Sequence, residues 1–146
     1  MTTLEAREAA RQRARERDWQ TALDGIHAGR RALAARMMQA LKNPVDIKAL
    51  SAWWLLGAGY DVWPAQPPFV WEGQRGDRKV LVAAVRDEGL AVPYLFLALR
   101  VSERVAQEAK AGAGVVLLGW SSRVAGRCTV EKWLTAEDFR GFKGDV

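Results

Sequence analysis

The sequence predicts an α/β domain, a small mixed sheet flanked by helices, with a long helical N-terminal arm. Three observations predict it. Lys79-Val80-Leu81-Val82-Ala83-Ala84-Val85 is almost continuously apolar, the pattern of a central strand covered on both faces. Val115-Val116-Leu117-Leu118 is a second apolar run, released by Gly112 and Gly114 after a helical segment. Ahead of both, residues 5 to 18 are almost entirely Ala, Arg, Glu and Gln, good helix formers in which Ala is the only apolar type.

Thr2-Thr3-Leu4-Glu5 reads as a capping box that opens the first helix: Thr2 accepts from first-turn amides and Glu5 reaches back. Its first half has little to bury and is expected to project. Trp19, Leu23, Ile26, Leu33, Met37 and Leu41 then recur at helical spacing, interrupted by Arg30, so the second half is expected to pack. Gly25 and Gly29 each cost about 1 kcal/mol relative to Ala inside a helix, which predicts a bend or two helices. Asn43-Pro44-Val45-Asp46 predicts a new helix, with Asn43 as N-cap, Pro44 first inside and Asp46 near the positive end, running to about Leu56. Gly57 and Gly59 end it.

Short strands are expected at Tyr60–Trp63, ended by Pro64, and at Phe69–Trp71, with Gly73–Arg78 as a polar connection to the strand Lys79–Val85. Val92–Ala98 is read as a strand, because Ser102 supplies an N-cap for a separate helix, Glu103–Ala111. Trp120–Gly126 reads as a connection, Cys128–Trp133 as a strand, and Thr135–Asp138 as the cap of a short last helix. The Gly/Lys/Asp-rich tail is expected to fray. The division that follows is a basic helical arm, residues 1–43, and an α/β domain, residues 44–146.

Composition sets the classes of function. Hydrophobic residues make up 49% and charged residues 27% of the 146, an ordinary globular balance. No apolar run approaches the roughly 20 residues of a membrane helix. Cys128 is alone, which excludes an internal disulfide, and a cytoplasmic location is the expectation. Of the net charge of +5, most belongs to residues 1–44, with nine Lys/Arg against five Asp/Glu. A basic arm on a near-neutral body suits contact with phosphates or an acidic protein surface.

Several chemistries find no residues here. The pairs Gly57/Gly59 and Gly112/Gly114 follow helices and precede strands, the reverse of the order that aims amides at a phosphate. One Cys and one His, His27, cannot make a structural zinc site. The acid pairs Asp87-Glu88 and Glu137-Asp138 are sequence neighbours and read as turn or capping residues. Seven tryptophans are expected mostly in the core, with one or two left as interface anchors or stacking platforms.

The helix ending Leu55-Leu56-Gly57-Ala58-Gly59-Tyr60-Asp61-Val62, the proline-containing extended segment after it, the strand hairpin, and the later helix and strand resemble the core of the restriction-endonuclease-like, or PD-(D/E)xK, superfamily, which includes Holliday-junction resolvases. The resemblance spans roughly residues 45–120. It implies a metal-dependent nuclease core in which an Asp after a proline and the Glu of a Glu-x-Lys triplet hold the cation. Pro68-Phe69 stands where that family has Pro-Asp, and Ala84-Val85-Arg86 where it has Glu-x-Lys. Phe and Ala cannot ligate a hard cation, whose ligands are oxygens. Alternation from Phe69 would put Glu72, a displaced candidate ligand, on the opposite strand face. The expectation is therefore a non-catalytic binding protein with no cofactor and no metal. It would be a regulator or inhibitor docking on a protein machine that acts on nucleic acid, for example a phage-type RNA polymerase-binding regulator, with a protein of the transcription or DNA-processing machinery as the expected partner. Arg7, Arg11, Arg13, Arg15, Arg17, Trp19 and Arg30 are its expected contacts. The alternatives are direct DNA or RNA binding through the arm, or a nuclease with a rearranged site using Glu72 or Asp87.

Overall fold

The computed structural model describes residues 2–139. The first helix, α1 (Thr3–His27), carries its capping box: Thr2 Oγ1 accepts from the Glu5 amide, and the Glu5 carboxylate accepts from the Thr2 amide, both at 3.1 Å. The chain then turns through Gly29, at φ +83°, into α2 (Arg31–Ala40), so the expected interruption is a break into two helices. Gly25 stays within α1 because α2 crosses there; an added Cβ would lie 3.2 Å from Ala34 Cβ.

The next helix, α3 (Ile47–Gly57), starts one turn later than Asn43 and Pro44 predict. Asn43 adopts a left-handed φ of +56°, and Asp46 is the N-cap, its Oδ1 accepting from the Ala49 amide at 2.9 Å. Asp46 holds an amide of the first turn, leaving Asn43 and Pro44 in the linker.

Five strands form one mixed sheet in the spatial order β1-β2-β3-β4-β5: β1 (Asp61–Pro64), β2 (Trp71–Arg75), β3 (Arg78–Asp87), β4 (Gly114–Ser121) and β5 (Cys128–Leu134). Neighbours are antiparallel except β3 and β4, which run parallel from Val80↔Gly114 to Asp87↔Ser121. Gly73, Gln74 and Arg75, expected as a connection, belong to β2, and Gly76-Asp77 alone makes the turn, with Gly76 at φ +62°.

A parallel pair needs a crossover, and two helices supply it: α4 (Ala91–Arg100) and α5 (Glu103–Lys110). Ser102 caps α5 as expected, its Oγ accepting from the Val105 amide at 3.3 Å. Residues 92–98, expected as a strand, are therefore helical. Pro93 sits in the first turn of α4, where a missing N–H costs nothing, and the Tyr94 amide opens the ladder on the Leu90 carbonyl at 3.0 Å. The described residues end on a 3₁₀ turn, Ala136–Phe139, where Asp138 Oδ2 accepts from the Thr135 amide at 2.7 Å. The tail expected to fray lies outside the described residues.

The layers are α/β/α. On one face α1, α2 and α3 bury Trp19, Leu23, Ile26, Met38, Leu50 and Leu55 against Trp71, Val80, Val82, Val116 and Leu118. On the other, α4 and α5 bury Leu99 and Val105 against Leu81, Ala83, Val115, Leu117 and Leu134. The expectation of a doubly covered central strand holds for β3. Packing begins at Trp19, so the second half of α1 and all of α2 share one core with residues 44 onward.

Gly73 lets α3 reach the sheet: a Cβ there would lie 2.7 Å from Leu55 Cδ2 and 3.2 Å from the Tyr60 side chain. Gly73→Ala is expected to lower the free energy of unfolding by about 1–3 kcal/mol. Gly57→Ala, which meets nothing within 4 Å, is expected to leave it unchanged or slightly higher. Urea unfolding of both variants makes the comparison.

Candidate functional site

The arginines expected as contacts do not form one surface. Arg7, Arg11 and Arg15 recur at four-residue spacing along one stripe of α1, while Arg13 and Arg17 fall on the far side of the helix. Arg11 and Arg15 line one shallow depression with Glu5, Glu8, Ala9 and Gln12. Arg30 lies in the turn beyond the far end of α1, about 15 Å of helix away from Arg17. Trp19 is not an exposed contact: it is 0% exposed, and its Nε1 donates to the Lys42 carbonyl at 3.3 Å. It anchors the arm to the core.

A groove that sequence reasoning misses opens where the parallel strands β3 and β4 end. Its inner cavity, of about 180 Å³, is lined by the linker Pro44–Asp46, Ile47 and Leu50 of α3, Arg86, Trp120 and Ser121 of β4, and Ser122, Arg123, Ala125 and Gly126 of the β4–β5 loop. Its outer cavity, of about 550 Å³, shares Pro44, Val45, Ala125 and Gly126 and adds Gln12, Arg15, Asn43 and Trp53. The loop is held by Ser121, whose Oγ accepts from the amides of Arg123 at 3.1 Å and Val124 at 2.9 Å. Trp53 is the exposed tryptophan of the groove, at 43%. These segments lie far apart in the chain, so no local pattern announces the groove.

A second surface is apolar. Leu90, Tyr94, Leu97 and Val101 are 62%, 65%, 51% and 54% exposed. Their spacing of four, three and four puts them on one stripe that runs from the N-cap of α4, Leu90, to its C-cap, Val101. The helix presents Val92, Leu95, Phe96 and Leu99 to the sheet instead. Arg100, at its end, donates through Nε to the Asp138 carbonyl at 2.8 Å. The strand reading of this segment hides the stripe, since only helical spacing separates its inner and outer residues.

The positions singled out by the nuclease resemblance are packing positions. Phe69 is buried in the cluster beneath α4 and α5, whereas Ala84 packs against the opposite cluster, with α3. Glu72 shares the side of Phe69, contrary to the expected alternation, because the regular strand starts only at Trp71 and both Val70 and Trp71 join the α3 side. Glu72 Oε1 and Glu108 Oε2 each lie 3.3 Å from Lys79 Nζ. Burial draws the Lys79 pKa down, but hydrogen bonds and charge attraction from the two carboxylates outweigh it and hold the ammonium above its ordinary value of 10.5. This clamp therefore stabilises the fold fully below that ordinary value and fades as pH rises through the higher folded one. Asp87 Oδ2 accepts from Thr129 Oγ1 at 2.6 Å. Among the described residues, no three His, Cys, Asp or Glu side chains come together as a metal-ligand set.

Comparison with protein-family models, with curated proteins and with solved structures gives no match.

Two outcomes are expected from this geometry. A chain shortened to begin at Asp18 keeps the fold, with unfolding free energy within about 1 kcal/mol of the full chain, measured by circular dichroism in urea; loss of the cooperative transition would contradict it. The second outcome concerns Cys128. Burial, the largest cause, pushes its thiol up, a backbone hydrogen bond at Val130 pulls it partly back, and Glu131 adds to the rise. The thiol therefore stays protonated at neutral pH. Its alkylation by iodoacetamide at pH 8 is expected to run several-fold slower than that of free cysteine, followed by mass spectrometry.

Proposed function

We propose that this chain is a non-catalytic binding protein, a regulator or inhibitor that docks on a protein machine acting on nucleic acid. Phage-type regulators of RNA polymerase are the kind of protein meant. The observation that carries this reading is the exposed stripe Leu90, Tyr94, Leu97 and Val101 on α4. Large apolar side chains at helical spacing on the solvent side of a helix suit an apolar groove on a partner, the helix-in-groove mode of recognition. The packing of Phe69 and Ala84 into opposite apolar clusters supports a non-catalytic role. The arm adds charge: Arg7, Arg11, Arg13, Arg15 and Arg17 lie on an exposed stretch of helix with room for an acidic surface.

A second reading, direct binding of DNA or RNA, is favoured by a different observation. The stripe Arg7, Arg11 and Arg15 on α1 leads into the groove at Arg15. Guanidiniums in line suit a phosphate backbone.

The test is affinity capture from the native host, followed by titration of the identified partner with variants. Leu97→Glu and Tyr94→Glu change exposed positions and are expected to weaken binding at least tenfold with an unchanged circular dichroism spectrum. Removal of residues 1–18 is expected to weaken it less. Unchanged affinity of both α4 variants would overturn the reading. So would light scattering that shows a dimer of this chain dissolved by Leu97→Glu, since the stripe would then belong to a second copy.

A further inference from the structure

The charged side chains that line the groove between α1, the α2–α3 linker and the β4–β5 loop are three arginines and one aspartate. At its inner end stand Arg86, which projects from β3 beside Trp120 of β4, and Arg123, presented by the loop that Ser121 ties together. No hydrogen bond or ion pair engages either guanidinium among the described residues. Trp120, which lines the same cavity, has a buried Nε1 with no acceptor among the described residues. The carboxylate in the lining, Asp46, commits Oδ1 to capping α3. At the outer end Arg15 donates to Gln12 Oε1 at 2.8 Å and keeps further N–H groups free, beside the exposed indole of Trp53. The lining thus brings three guanidiniums and one carboxylate around an aromatic face.

That combination selects a ligand carrying negatively charged oxygens next to flat rings. Guanidiniums recognise phosphate oxygens in bidentate fashion. An exposed indole offers a stacking face that any base can use. Arg7 and Arg11 continue the line of Arg15 along the arm, with Glu5 and Glu8 beside them, so the cationic track extends beyond the groove and is densest within it. A track of that length favours a polymer over a single nucleotide. We infer that this groove binds a single strand of nucleic acid, with backbone phosphates on Arg86, Arg123 and Arg15 and a base stacked on Trp53. This inference rests on the second reading above and gives it a site; it is independent of the α4 stripe, which lies on the other side of the sheet.

The experiment is fluorescence anisotropy of the full chain with a labelled 12-nucleotide oligothymidylate at several salt concentrations. Binding of the unaltered chain is expected to weaken as salt rises, with a log–log slope of about −0.7 per phosphate contact. The double variant Arg86→Ala/Arg123→Ala is expected to lose at least tenfold in affinity and to show a shallower slope. Trp53→Ala is expected to lose about fivefold or more, while Trp53→Phe, which keeps a stacking face, recovers most of it. Lys110→Ala, an exposed position at the end of α5 on the opposite side of the sheet, is expected to bind as the unaltered chain does. Circular dichroism of each variant establishes that the fold persists.

Failure of the oligonucleotide to bind at low salt would overturn both the groove and the second reading, and would leave the α4 docking result untouched. Loss of binding on removal of residues 1–18, with the groove variants unchanged, would keep the second reading and overturn the groove. Competition by thymidine monophosphate at equal concentration would also overturn it, by reassigning the cavity to a free nucleotide. A loss in Leu97→Glu equal to that of the groove variants would overturn it as well, by showing that the effect is not local to the groove.

Discussion

The structure depends on one strand. β3 alternates Val80 and Val82 toward one side with Leu81 and Ala83 toward the other, and all four are buried. Leaving either side in water would forfeit roughly 1.5–3 kcal/mol for each large side chain, so both faces need a layer of helices. β3 also pairs in parallel with β4, and a parallel pair can be joined only by a long crossover. The crossover helices α4 and α5 become the cover of one face. The N-terminal helices α1 to α3 become the cover of the other.

What is legible in the sequence follows from how local each signal is. The capping box at Thr2 and Glu5, the cap at Ser102 and the apolar runs of β3 and β4 are decided within a few residues, and each is where its pattern places it. The start of α3 misleads because two capping signals compete within one turn, and Asp46 rather than Asn43 holds the helix amide. Residues 92–98 mislead because apolar side chains occupy nearly every position. A run of that kind carries no period to separate strand from helix. The slip at Val70 and Trp71 turns Glu72 to the side opposite the one that simple alternation predicts.

The candidate surfaces are less legible, for a physical reason. The groove is assembled from residues as distant as Gln12, Arg86 and Arg123, and only the pairing of β3 with β4 and the passage of α1 beside the linker bring them together. Charge counting finds the arm but does not divide its arginines by face, which requires the helix to exist. Trp19 is legible as a large aromatic and misleads as a contact, although its place at the head of the apolar stripe Trp19, Leu23 and Ile26 is the sign of a core anchor.

The sheet that α4 covers does not need the outer side of that helix. Val92, Leu95, Phe96 and Leu99 already turn toward Leu81, Ala83 and Leu117, and polar residues at positions 90, 94, 97 and 101 would leave those contacts intact. An ordinary surface helix is polar on its solvent side. Four large apolar residues there lower solubility and add nothing to the core, which is why the stripe carries the docking proposal. The groove lies at the carboxyl ends of β3 and β4, on the side covered by α1 and α3, with the sheet between it and the stripe. Neither surface shares a residue with the other, so the two proposals make separate demands on the chain and fail separately. The proposed docking stripe and the proposed nucleic-acid groove thus rest on different layers, one on each of the two that β3 requires.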